Sequence, residues 1–149
     1  MKFLFAIVLM FFSTSIVNAE SINIENKSGK SIFAINHAQQ ILKDTRDFLL
    51  QNEYSWAKVD VGNLKIIVFE TRGDLNIFLE RNFPGLEGVV ACYGISENTI
   101  YTFPGVKPHY LAHEFTHVLV ERSGVKVAKG HKEDLPMFVD KNINLNWIW

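Results

Sequence analysis

The sequence predicts an α+β domain, and three observations carry the prediction. Apolar residues recur at helical spacing between Ile32 and Glu53, short β-branched runs bounded by turn residues follow, and a sharply delimited later helix carries two histidines four residues apart. At 149 residues, 48% hydrophobic and 21% charged, the chain is long enough for one core and too apolar for a disordered segment. Fifteen Lys and Arg against sixteen Asp and Glu give a net charge of -1 without a basic stripe. Such a surface is poorly suited to a row of phosphates, which argues against nucleic acid as the partner.

The amino terminus is set apart from the folding argument. Lys2 precedes an unbroken apolar run from Phe3 to Phe12, and the chain then turns small and polar, ending in Val17-Asn18-Ala19. This is the pattern of a secretory signal peptide over residues 1–19, cleaved after Ala19. Ten apolar residues fall short of the roughly 20 that span a bilayer. Glu20, not cysteine, would begin the mature chain, so no lipid anchor is indicated and a secreted or periplasmic location without membrane attachment is expected. Cys92 is a single cysteine, to be read either as a buried apolar-like residue or as an intermolecular or reactive thiol.

Residues 20–31 are rich in Asn, Lys, Gly and Ser and read as a flexible arm before a single domain over 32–149. Ala34, Ile35, Ala38, Ile41, Leu42, Thr45, Phe48 and Leu49 line one face of an amphipathic helix to about Glu53. Leu64 to Phe69 is a β-branched run after Gly62-Asn63 and reads as a buried strand. Thr71 stands three residues before Asp74, the signature of a helix start, and Pro84 stops that helix near Asn82. Gly88 to Ile95 and Thr99 to Phe103 make a hairpin across Ser96-Glu97-Asn98. Pro108 suits the first turn of a third helix, which Gly124 ends. A polar loop leads to a last short helix, Leu135 to Asn142, and an aromatic tail that includes Trp147 and Trp149.

The third helix contains Leu111-Ala112-His113-Glu114-Phe115-Thr116-His117, an H-E-x-x-H sequence. Residues four apart share a helical face, so His113 and His117 can direct two imidazoles at one metal ion. Glu114 projects about 100° around the helix, beside the ion without having to bind it. With Zn²⁺ such a site keeps a water position, and a neighbouring carboxylate can accept the water's proton and pass it to a leaving nitrogen. Composition alone would produce the motif by chance in about one per cent of such chains. His109 and Glu121 lie a turn to either side; each is about 12 Å along the axis from the farther motif histidine, too far to share one ion with both. Glu121 instead reads as an acceptor orienting His117, or as a surface pair partner.

From Leu64 to Asn142 the order strand, helix, hairpin, H-E-x-x-H helix resembles the zincin metallopeptidases, in their gluzincin branch with its peptidase-MA-like secreted members. The resemblance implies a zincin-like fold: a small mixed sheet with an edge hairpin packed on the active-site helix. It further implies hydrolysis of peptide bonds by a zinc-activated water, with Glu114 as general base and then acid, and a peptide or protein substrate lying on an edge strand, here Thr99 to Phe103.

The family usually supplies its third ligand as Glu within Pro-x-aromatic-aliphatic-x-Glu-Gly. This chain reads Pro136-Met137-Phe138-Val139-Asp140-Lys141-Asn142, with Lys141 at the Glu position. Asp140 is therefore the first choice for the third zinc ligand, His131 the next, with Glu133 and Asp134 behind them. For stabilising an oxyanion, Tyr93, Tyr101, Tyr110 and His131 all have suitable chemistry. The competing expectation is a catalytically inactive zincin-fold module that binds a protein partner through its edge strand or through Trp147 and Trp149.

Overall fold

The computed structural model describes residues 20–145; the expected signal peptide and both tail tryptophans lie outside the described residues. Four strands form one mixed sheet in the order β1-β2-β4-β3, with β1 Ser21–Asn26, β2 Asn63–Val68, β3 Ala91–Gly94 and β4 Thr99–Thr102. β1 runs parallel to β2 and β2 parallel to β4, whereas β3 and β4 form the antiparallel hairpin. Among the described residues there are five α-helices, α1 Phe33–Asn36, α2 Ala38–Gln51, α3 Arg72–Asn82, α4 Pro108–Ser123 and α5 Asp134–Asn142, and a short 3₁₀ turn at Ser55–Lys58. The domain is thus α+β, as the sequence predicts.

Alternation along β2 divides the interior in two. Leu64, Ile66 and Val68 face Ile41, Leu42 and Leu49 of α2 and Leu111, Phe115, Val118 and Leu119 of α4 in the main core. Ile67 joins the opposite face, where Leu75 and Leu79 of α3 pack with Tyr101, Phe78 and Phe83. Each fully buried Leu, Ile or Phe contributes about 1.5–3 kcal/mol by leaving water, so α4 is fixed chiefly by its apolar face. That rigidity matters because the histidines ride on the same helix.

The helix boundaries follow local chemistry. Thr71 Oγ1 accepts from the Asp74 N–H at 3.1 Å while the Asp74 carboxylate accepts from the Thr71 N–H, completing a capping box. Pro108 opens α4, and Gly124 closes it at φ 69°, a left-handed geometry that costs glycine little. The expected first helix is divided at His37, where the backbone leaves helical geometry at φ −110° and ψ 16° and the ring Nδ1 joins the backbone N–H on the Phe33 carbonyl.

Two expectations are corrected. Residues 20–31 are not simply an arm: six of them form β1, pairing along the whole of β2 from Ser21 opposite Asn63 to Asn26 opposite Val68. Glu20 anchors its start, accepting from Arg46 and from the Val61 N–H, and Arg46 also donates to the Ala57 and Val59 carbonyls. Nor is Thr99 to Phe103 a sheet edge. β4 lies between β2 and β3 with all four residues buried, because Lys65 through Val68 pair with it directly. The edge on that side is β3.

Candidate metal centre

α4 turns Leu111, Ala112, Phe115, Val118 and Leu119 into the core, which leaves His113 and His117 half-buried on the opposite side. They line a cleft of about 730 Å³, walled by Ala91, Cys92 and Tyr93 of β3 and by residues of the segment between α4 and α5. The two rings stand edge to face, 5.0 Å between centroids, and their Nε2 atoms approach to 3.3 Å.

A carboxylate closes the set. Glu133 Oε2 lies 3.1 Å from His113 Nε2 and 3.3 Å from His117 Nε2. Ligand atoms about 2.0–2.1 Å from a tetrahedral ion stand about 3.3 Å apart, so these three atoms match one face of such a coordination shell. His113, His117 and Glu133 could therefore hold a metal ion. Glu133 is the N-cap residue of α5, yet its side chain does not cap the helix; it is directed to the imidazoles. Burial is the main reason that His117 is held below the ordinary histidine pKa, favouring the neutral ring a metal requires.

The structure does not bring Asp140, the sequence's first choice for the third ligand, to the histidine pair. Asp140 lies seven residues beyond Glu133, about 10 Å along α5. There its Oδ1 is 3.8 Å from Nε2 of His109, one turn before His113 on α4. The two helices run antiparallel, so α5 carries Asp140 past the histidine pair. Lys141 is exposed, and His131 is engaged elsewhere, its Nδ1 2.6 Å from Asp134 Oδ2. Glu133, third among the sequence candidates, is the residue brought to the pair. Among the described residues no hydrogen bond joins Glu121 to His117, and Glu121 lies on the cleft wall instead.

Glu114 also lines the cleft but is almost fully buried, at 7% exposure. Burial, reinforced by the nearby Glu133 charge, pushes its carboxyl up to about 8, while a hydrogen bond from the Tyr93 backbone opposes the rise. A folded-state pKa above the usual 4.5 means that the metal-free fold retains a proton that the unfolded chain releases. This group's contribution to stability is therefore full below pH 4.5 and declines as the pH rises towards 8. Metal-free Glu114→Gln, which has nothing to ionise, is expected to gain on the parent in melting temperature between pH 5 and pH 8; equal slopes would contradict the buried acid.

Cys92 takes the first of its two expected roles. It is buried, and burial pushes its thiol up to about 12, with Glu114 and Glu133 adding to the effect, so the nucleophilic thiolate is scarce at neutral pH. Of the four oxyanion candidates, Tyr93 alone lines the cleft, and its hydroxyl donates to Asn98 Oδ1 at 2.9 Å. Tyr101 belongs to the aromatic cluster beneath α3, and Tyr110 lies against His109.

Fold and site together define an α+β domain with a cleft-lining group of two histidines and a glutamate that could bind a metal. Comparison of the chain with protein-family models, with curated proteins and with solved structures found no match. No helix among the described residues is long and apolar enough to cross a membrane.

Proposed function

We propose that this chain is a zinc-dependent metallopeptidase of zincin-like arrangement. The observation that carries the reading is the triangle of His113 Nε2, His117 Nε2 and Glu133 Oε2, with edges of 3.1 to 3.3 Å, beside a buried carboxyl in an open cleft. Zn²⁺ suits two imidazoles and one carboxylate, and when bound it would polarise a substrate carbonyl and acidify a water.

The chain's own residues account for the proton transfers. Glu114 is adjacent to His113 in sequence and faces the same cleft, held at β3 by the Tyr93 backbone. In this reading the positive charge of a bound ion would favour the ionised carboxylate, which takes a proton from the attacking water and delivers it to the departing amine, so one carboxyl acts first as base and then as acid. β3, the edge strand beside the cleft, offers an extended peptide a line of backbone partners. Export through the 1–19 leader belongs to the same proposal and rests on the sequence pattern alone.

The test is hydrolysis of a quenched fluorescent peptide library by purified protein, before and after chelation and with Zn²⁺ restored. Cleavage that is lost on chelation and regained with zinc is expected. Zinc binding without cleavage of any library member would favour the inactive, partner-binding module.

A further inference from the structure

The segment from Gly124 to Glu133 joins α4 to α5, and each of its residues is exposed. Its own bonds are short-range, among them the Gly124 N–H to the Glu121 carbonyl, the Val125 N–H to Ser123 Oγ, the His131 N–H to the Ala128 carbonyl, and His131 Nδ1 with Asp134 Oδ2. Among the described residues, the polar contacts that cross from this segment to the body are those of Glu133 Oε2 with the two α4 imidazoles. A strap with little burial and one tether belongs to the least stable part of a fold.

The same strap forms one wall of the cleft. Val125 and Val127 lie on it, while Leu86, Val89 and Ile95, from the segments flanking β3, contribute the other side. Four of these, Leu86, Ile95, Val125 and Val127, are large apolar residues left 37 to 54% exposed, although the domain has two well-filled cores. Lys126 and Lys132 stand among them on the strap, while Glu121 lies on the α4 side of the cleft and Glu114 and Glu133 lie at the proposed metal site. Apolar walls with two cations fit an extended peptide that places a large apolar side chain in the cleft and a neighbouring carboxylate against the lysines.

We infer that the strap is closed by the metal ion and that its closure forms this apolar subsite. An ion bonds Glu133 Oε2 and both Nε2 atoms at once, whereas a proton can serve only a pair of them. Occupancy therefore fastens Val125 and Val127 in place opposite Leu86 and Ile95, and loss of the ion releases that wall. The inference rests on the proposed zinc site and adds to it a metal-dependent substrate preference.

Limited trypsin digestion tests the closure, because Lys126, Lys129 and Lys132 all lie on the strap. A calorimetric zinc titration is run on the same samples. Zn²⁺ is expected to slow cleavage at these lysines at least tenfold in the parent, and not in Glu133→Gln, whose cooperative melt verifies that it is folded. Zinc binding without protection of the parent overturns the inference while leaving the zinc site standing; no zinc binding overturns both.

The subsite is tested with zinc-loaded Glu114→Gln and the peptide Ala-Gly-Ala-Phe-Glu-Ala-Ala. Replacing its Phe by Gly is expected to weaken binding at least tenfold, and replacing its Glu by Gln to weaken it at least threefold. Equal affinity for the Phe and Gly peptides overturns the apolar subsite, and equal affinity for the Glu and Gln peptides overturns the role of the lysines.

Discussion

Glu114→Gln is expected to keep its zinc and lose its turnover, with kcat lowered roughly 10²–10⁴-fold, the usual contribution of a positioned acid–base group. Gln has nearly the same shape, and its side-chain oxygen can still accept from the Tyr93 backbone, so the packing that holds Glu114 at 7% exposure is retained. What disappears is a site for the proton. Because the carboxyl is not among the three converging ligand atoms, zinc affinity and KM should change little. Parallel measurement of zinc content and kcat checks this. An undiminished kcat would reduce Glu114 to a packing residue, and a loss of zinc would make it a ligand.

Glu133→Gln and Asp140→Asn should separate cleanly in metal affinity. Glu133 Oε2 is the anionic atom of the triangle, so its loss is expected to weaken zinc binding by more than the roughly 10–100-fold that follows removal of a mere supporting partner. Asp140 pairs with His109 at 3.8 Å, a turn away from the histidine pair, and the pair is partly exposed. Asp140→Asn should change zinc affinity by no more than about fivefold, equivalent to the 1 kcal/mol ceiling of an exposed ion pair. Competition titrations against a chromophoric chelator measure both. The reverse order of effects would restore Asp140 as the ligand.

What the sequence made legible was what neighbouring residues decide among themselves. The capping box at Thr71 and Asp74, the Pro108 start and Gly124 stop of α4, and the pairing of His113 with His117 are all settled within one or two helical turns. β1 was not legible, because Ile22 and Ile24 sit among polar residues and the strand is specified by β2 and by the Glu20–Arg46 bridge, 26 residues apart. The hairpin was legible but its place in the sheet was not: which of its strands faces β2 depends on long-range pairing.

The convergence of Glu133 on the histidine pair was hidden for the same reason. Counting from His117 cannot reveal that α5 runs back along α4, and a motif-based reading of Pro136 to Asn142 looks only within that helix, whereas Glu133 lies at its threshold. Glu133 could have been favoured on one ground, its position at the start of a helix that the preceding polar loop returns to the histidines. Nothing local ranks it above His131 or Asp134.

The most direct test of the metal centre is anomalous diffraction at the zinc edge from crystals grown with Zn²⁺. The expected result is one ion in the cleft bonded to His113 Nε2, His117 Nε2 and Glu133 Oε2, with Glu114 close by and unbonded. An ion bound instead through Asp140 or His131, or no ion between the two imidazoles, would contradict the account.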